Sequence, residues 1–123
     1  MSQDVSLKTI TLSELEKESE QGITFVLYTT DASDELHKEA QNTFARVMKE
    51  YPQAKYFLLN REDSAKKIQE VNAGRATPVN PKNQMYEIIV NGARVKLQLG
   101  RLNSVGGVGS EVRSQLMHNG YKV

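Results

Sequence analysis

Two short apolar runs separated by one amphipathic segment restrict the fold of this chain more than any other feature. The runs are ITFVLYT, residues 23–29, and AKYFLLN, residues 54–60. Both are rich in β-branched and aromatic side chains and are too short for typical helices, so they predict buried strands. The first run has no polar break at its centre, which predicts a strand covered on both faces and central in a sheet.

The segment between these runs has the period of a helix. From Asp34 to Pro52 the apolar residues recur at steps of four, four, three, one and three. They are Leu36, Ala40, Phe44, Val47, Met48 and Tyr51. Two strands joined by a helical crossover pair in parallel with a right-handed connection, so residues 23–60 predict a β-α-β unit.

Further helices are predicted on both sides of this unit. Thr11 and Glu14 have capping-box spacing, which predicts a short helix that starts there and stops near Gly22. The segment DSAKKIQEVNAG, residues 63–74, predicts another amphipathic helix that ends at its glycine. Its predicted inward-facing residues are Ala65, Ile68 and Val71.

The second half of the chain predicts a hairpin and a closing helix. Asn91 and Gly92 lie between the strand-like runs MYEIIV and ARVKLQL, and Asn-Gly in that setting is the strongest short-range hairpin signal. The segment SVGGVGSEVRSQLMHNG, residues 104–120, then predicts a helix that ends before Gly120. Its apolar stripe is Val108, Val112 and Leu116.

The motif GGVG, residues 106–109, could belong to an anion-binding loop, because glycines before a helix can expose N–H groups. However, no lysine, serine or threonine follows at the spacing of a nucleotide-binding loop, and no strand of a β-α-β unit precedes the motif. We therefore interpret it as a flexible segment leading into the final helix.

Composition narrows the functional classes. The chain has 123 residues, a formal net charge of +1, 38 % hydrophobic residues and no cysteine. These values predict one globular domain over residues 1–123, in the cytoplasm and without a signal peptide or membrane span. Basic residues are interleaved with acids, which argues against nucleic-acid binding. His37 and His118 are far apart in sequence and are expected to be solvated or capping rather than metal ligands.

Taken together, the order of elements resembles thioredoxins and glutaredoxins from about Leu7 to Gly120. The segments that carry the resemblance are FVLYTTDAS, LLNREDSAKKIQEVNAGRATP and IIVNGARV. The resemblance implies an α/β, thioredoxin-like fold with a central mixed β-sheet flanked by helices. In this fold a β-α-β unit is followed by a β-hairpin and a C-terminal helix.

The resemblance breaks at the family's two active-site cysteines. Aligning FVLYTTDASDELHK on the strand and CxxC turn puts Ser33 and Leu36 at those positions. A serine hydroxyl cannot exchange disulfides, but it is suited to cap the next helix, and Asp34 and Glu35 would stabilise the helix dipole. Two interpretations stay open: a well-capped helix start, or a turn that also contacts a partner.

Thr77 and Pro78 match the residue pair that lies beside the family's active site, where the peptide bond is cis and the residue before proline pairs with a peptide or glutathione. Here PVNPKNQ separates Pro78 from the next apolar run, and Pro81 is a rival for the cis position. An ordinary loop with trans prolines is the alternative.

These features predict a non-catalytic, redox-inactive binding or assembly module for a protein or peptide, without cofactor or metal. The module could be an adaptor, a chaperone-like protein or a structural subunit of a cellular or viral complex. Ser33 and His37 could be read as nucleophile and base, but nothing in the sequence indicates a third residue or an oxyanion hole. The alternative function is an enzyme that uses glutathione or another thiol ligand without its own cysteine. The expected partner-binding residues are Asp31, Ala32, Ser33, Leu36, Thr77 and Pro78.

Overall fold

The computed structural model describes residues 7–30, 34–77, 84–100 and 105–120, and it confirms the predicted α/β order of elements. In chain order these are β1 (Lys8–Ile10), α1 (Leu12–Glu18), β2 (Ile23–Tyr28), α2 (Asp34–Glu50), β3 (Lys55–Leu59), α3 (Arg61–Ala73), β4 (Gln84–Val90), β5 (Ala93–Gly100) and α4 (Val105–His118). No helix within these ranges is both long and apolar enough to cross a membrane.

The sheet is mixed and has the order β1-β3-β2-β4-β5. β2 is its central strand, as predicted, and all six of its residues are buried. It pairs in parallel with β3, the geometry expected of a β-α-β unit, and antiparallel with β4. The register opposes Tyr28 to Leu59 on one side and to Met85 on the other.

The core forms two layers, one on each face of the sheet. On one face Phe25 packs with Phe44 of α2, Tyr56 of β3 and Tyr86 of β4, and the stripe of α4 covers the same cluster. On the other face β2 packs beneath α1 and α3. Because successive strand residues point to opposite faces, the continuous apolar run of β2 supplies both layers.

β1 is the strand that the sequence did not predict. Its three residues pair in parallel with β3 at the edge of the sheet, and only Ile10 is buried. A strand with one buried residue has no measurable alternation, so the sheet and not the local pattern determines it. The adjacent capping box is confirmed, since Thr11 N–H donates to Glu14 over 3.0 Å and Glu14 N–H donates to Thr11 over 3.2 Å.

α3 begins at Arg61, and its inward face differs from the predicted one. Ala65 is exposed, which contradicts the prediction, whereas Ser64 is fully buried. Ile68 and Val71 are half-buried. The Ser64 hydroxyl donates to Leu59 O over 3.0 Å, so a polar residue takes the inward position because it satisfies a backbone group where β3 ends.

The hairpin turn is confirmed, because Asn91 and Gly92 have φ of 49° and 83°. Further along, Ile89 pairs with Arg94 but Ile88 pairs with Lys96, so Val95 is an extra residue in β5. Val95 forms a β-bulge and is 49 % exposed. A bulge twists an edge strand and makes it a poorer template for further pairing.

α4 contains the glycines that we expected to precede it. The helix begins at Val105, so residues 106–109 lie in its first turns and not in a flexible lead-in. Val108, Val112 and Leu116 are buried as predicted. Their burial in the core beside α2 offsets the cost of about 1 kcal/mol that each helical glycine carries.

Gly109→Ala should therefore stabilise the protein. No heavy atom beyond the local helix backbone lies within 4 Å of the position of an added Cβ at Gly109. We expect urea denaturation to show a gain of about 0.5–1 kcal/mol in the free energy of unfolding. Gly120 is the matched control: its φ is 81°, so Gly120→Ala should instead cost about 1 kcal/mol. A loss of stability in Gly109→Ala would contradict the helical placement.

Candidate functional site

The candidate site lies where the carboxyl ends of β2 and β3 meet the start of α2. Tyr28 and Leu59 are opposite each other at this edge, and α2 starts at Asp34. In open α/β sheets, ligands bind outside the carboxyl ends of the strands. The predicted site residues Asp31, Ala32, Ser33 and Pro78 lie outside the described residues, as does Pro81, so the choice between cis prolines is untested.

Leu36 is half-buried at the start of α2. Its carbonyl accepts a hydrogen bond from the side-chain amide of Gln84, the first residue of β4. Gln84 is 1 % exposed, and this bond ties the helix to the sheet through a buried polar group. The backbone of Leu36 is therefore anchored while part of its side chain stays open.

The end of β2 is held by α3. Thr29 N–H donates to the Ser64 hydroxyl over 3.0 Å, and the Thr29 hydroxyl donates to Leu59 O over 2.8 Å. Ser64 thus bonds the residue that follows β2 and the last residue of β3 at once. Sequence reasoning missed this role because it placed Ala65 inward.

His37 caps the backbone N–H of Thr30, two residues after β2, and capping was one of the roles predicted for it. Its Nε2 accepts the backbone N–H of Thr30 over 3.3 Å and lies 3.4 Å from the Thr30 hydroxyl. The ring proton of the neutral imidazole is then on Nδ1. Burial holds the pKa of His37 below its ordinary value; Asp34 opposes this effect, and Arg61 adds to it. Ser33 lies outside the described residues, so the interpretation of Ser33 and His37 as nucleophile and base is untested.

Thr77 is exposed beyond the end of α3. Its carbonyl accepts a hydrogen bond from Arg75 Nε over 3.2 Å. The carbonyl of the residue that the resemblance places beside a partner is thus bonded to an exposed side chain of its own segment. The Leu36 carbonyl is bonded to Gln84 and the Thr77 carbonyl to Arg75, so these two predicted site residues are held by different side chains.

A cavity of about 320 Å³ adjoins the first two turns of α2. Its lining residues are Thr29, Asp34, His37, Lys38, Gln41 and Leu58. Four of these residues lie on α2 at helical spacing, on its polar side: Asp34, His37, Lys38 and Gln41. This spacing is the sequence signal that could have indicated the cavity. Among the described residues no group of three or more histidine, aspartate or glutamate side chains could hold a metal ion.

A buried carboxylate lies on the sheet face covered by α1 and α3. Glu87 is 7 % exposed and accepts hydrogen bonds from the Tyr28 hydroxyl over 2.6 Å and from Arg94 over 2.9 Å. Burial and the neighbouring Glu87 raise the pKa of Tyr28 far above its ordinary value, so the phenol stays a donor. Both donors bond the same oxygen, Oε1, and this carboxylate has a structural role in joining β2, β4 and β5.

Comparison with solved structures identifies the architecture. The thioredoxin from Trypanosoma brucei brucei superposes with a TM-score of 0.65 over 94 % of this chain and 96 % of that chain, at 11 % sequence identity. Mitochondrial thioredoxin 3 from Saccharomyces cerevisiae, in its oxidised form, gives 0.64 over 88 % and 94 %, at 10 % identity. The fold is thioredoxin-like. The oxidised thioredoxin from Plasmodium falciparum gives a TM-score of 0.61 over 89 % of this thioredoxin-like chain and 98 % of that chain, at 16 % identity.

The sequence itself is divergent. No family model matches it, and no curated protein matches it significantly. The likeness to solved thioredoxins therefore concerns the fold, and this thioredoxin-like chain has no cysteine with which to exchange a disulfide.

Proposed function

We propose that this thioredoxin-like protein is a redox-inactive, non-catalytic module that binds a protein or peptide at residues 31–36 and at Thr77–Pro78. The observation that carries the proposal is a thioredoxin-like fold whose sequence contains no cysteine. A fold does not determine a function, but a scaffold that lacks the redox atoms can still use its surface for recognition.

The anchoring of the residues that flank residues 31–33 supports this proposal. Ser64 holds the N–H of Thr29, His37 holds that of Thr30, and Gln84 holds the carbonyl of Leu36. These side chains fix the chain on both sides of residues 31–33. A surface whose flanks are held in place loses less conformational entropy when a partner binds.

The partner would dock as an added strand. Its main-chain groups would supply hydrogen bonds, and the open part of Leu36 would supply an apolar contact. At Thr77 the carbonyl would become available once the exposed Arg75 side chain moves away from it. Docking therefore exchanges a weak local hydrogen bond for one with the partner.

Affinity capture from the native source with matched variants tests the proposal. Thr77→Arg and Ala32→Arg place a bulky charge on the proposed surface, whereas Arg113→Glu changes an exposed residue of α4 as the control. We expect the partner identified with wild type to bind Arg113→Glu equally and each of the other variants at least about fivefold more weakly. The free energy of unfolding of Thr77→Arg should stay within about 0.5 kcal/mol of wild type.

Normal binding by Thr77→Arg and Ala32→Arg together with loss in Arg113→Glu would place the interface on α4 and contradict the proposal. The alternative, an enzyme that uses a thiol ligand, is tested by titrating glutathione into labelled protein. Amide shifts clustered at residues 31–36 and 77 would favour that enzyme. Absence of shifts would favour the binding module.

A further inference from the structure

The imidazole of His37 is influenced by one residue on each side of residues 31–33. Its Nε2 accepts the N–H of Thr30, the last described residue before the turn. Asp34, the first residue of α2, is three positions before His37 on the helix, and its charge acts on the imidazole. Residues three apart on a helix are neighbours on its surface. The imidazole is therefore hydrogen-bonded to the residue before residues 31–33 and feels the charge of the residue after them.

We propose that His37 is a pH-sensitive latch: the neutral imidazole holds the Thr30 N–H, and the protonated imidazole releases it and pairs with Asp34. The latch is a property of the free protein. Its effect on partner binding rests on the proposed function, because the released backbone leads directly into the proposed docking turn.

The exchange of partners follows from the donor and acceptor inventory of histidine. A neutral imidazole has one acceptor nitrogen, and here Thr30 N–H uses it. Protonation turns that nitrogen into a donor, so two N–H groups would then face each other and the bond is lost. The Thr30 hydroxyl, 3.4 Å from Nε2, can accept from the new N–H, but the backbone amide cannot.

The surrounding groups act on the two protonation states of His37 in opposite directions. Asp34 favours the protonated ring, whereas burial and Arg61 on α3 disfavour it. Lys38 adds a further positive charge to the cavity that His37 and Asp34 line. This cavity, about 320 Å³ in volume, gives water a route to the ring, so protonation does not require unfolding.

The sign of the pH dependence follows from the direction of the shift. The pKa of His37 in the folded protein is below its ordinary value, so the unfolded chain binds this proton more tightly. The contribution of His37 to stability is therefore fully present above about pH 6.5. It is lost as the pH falls through the folded-state pKa.

Hydrogen exchange of the Thr30 amide tests the latch. The measured quantity is its protection factor, corrected for the intrinsic exchange rate, between about pH 7 and pH 5. In wild type we expect a decrease of about tenfold, the size expected for the loss of one hydrogen bond. In His37→Gln the side-chain oxygen can replace Nε2 as acceptor but does not titrate, so protection should not change. His118→Gln, at the exposed end of α4, should behave as wild type.

A constant protection factor in wild type while the imidazole nitrogens titrate would overturn the latch, and so would an equal decrease in His37→Gln. If His37→Gln does not fold, the imidazole nitrogen shifts of wild type still decide the matter, because the latch requires the Nδ1–H tautomer at neutral pH. These measurements need no partner. Failure of the Thr77→Arg binding test would therefore contradict the proposed function and leave the latch standing.

Discussion

Phe25→Ala should lower the free energy of unfolding by about 3–5 kcal/mol, a large part of the stability of a domain this size. Phe25 is 1 % exposed, and its ring lies 5.5 Å from that of Tyr56 and 6.4 Å from those of Phe44 and Tyr86. The substitution leaves a cavity between three rings that α2 and two strands hold in place, so neighbouring atoms cannot collapse into it. Urea denaturation followed by circular dichroism measures the loss.

Phe57→Ala is the matched control for this substitution. Phe57 is on β3, is half-buried, and packs at the margin of the opposite layer. Because less of its surface leaves water on folding, we expect a loss of about 1–2 kcal/mol. If the two variants lose equal stability, the ring cluster around Phe25 is not the centre of the core.

Arg94→Met should cost about 2–3 kcal/mol, because it removes the cation paired with a carboxylate that is 7 % exposed. We place the expected loss below that of a fully buried pair since the Arg94 side chain is 39 % exposed. Methionine keeps the apolar stem of arginine, so the measurement reports mainly on the charge. Urea denaturation at neutral pH gives the value.

Two further variants isolate the role of charge at this position. Adding Glu87→Gln to Arg94→Met should recover part of the loss, because a neutral amide is cheaper to bury than an unpaired carboxylate and still accepts from Tyr28. Lys96→Met breaks the ion pair with Glu111, whose side chain is 28 % exposed, and should cost at most about 1 kcal/mol. A double variant less stable than Arg94→Met alone would show that charge burial is not the cause.

The sequence predicted those parts of the fold that local patterns encode. β2 and the hairpin turn at Asn91 and Gly92 were predictable because apolar runs and positive φ are local properties. β1 was not predictable, because its three residues have no apolar pattern of their own and form a strand only by pairing with β3. The start of α4 was mispredicted because glycine propensity is local, whereas the burial of Val108 in the core is not.

The candidate site was less predictable than the fold. The position of the turn followed from the resemblance, but its supports come from distant segments: Ser64 is 35 residues from Thr29, and Gln84 is 48 residues from Leu36. No pattern within a helix or strand indicates such contacts, since each side chain alone reads as an ordinary polar residue. The bond between His37 and Thr30 spans only seven residues, yet it depends on the direction in which the chain leaves β2.

The central place of β2 has a consequence for how the chain folds during synthesis. β2 can pair with β3 as soon as α2 has formed, because those segments adjoin in sequence. The other edge of β2 pairs with β4, which is made later. The hydrogen bond between Tyr28 and Glu87 likewise joins residues 59 positions apart. A nascent or truncated chain that ends before β4 therefore carries an apolar strand with an open edge, the usual template for association between chains. Completion of the C-terminal hairpin closes that edge.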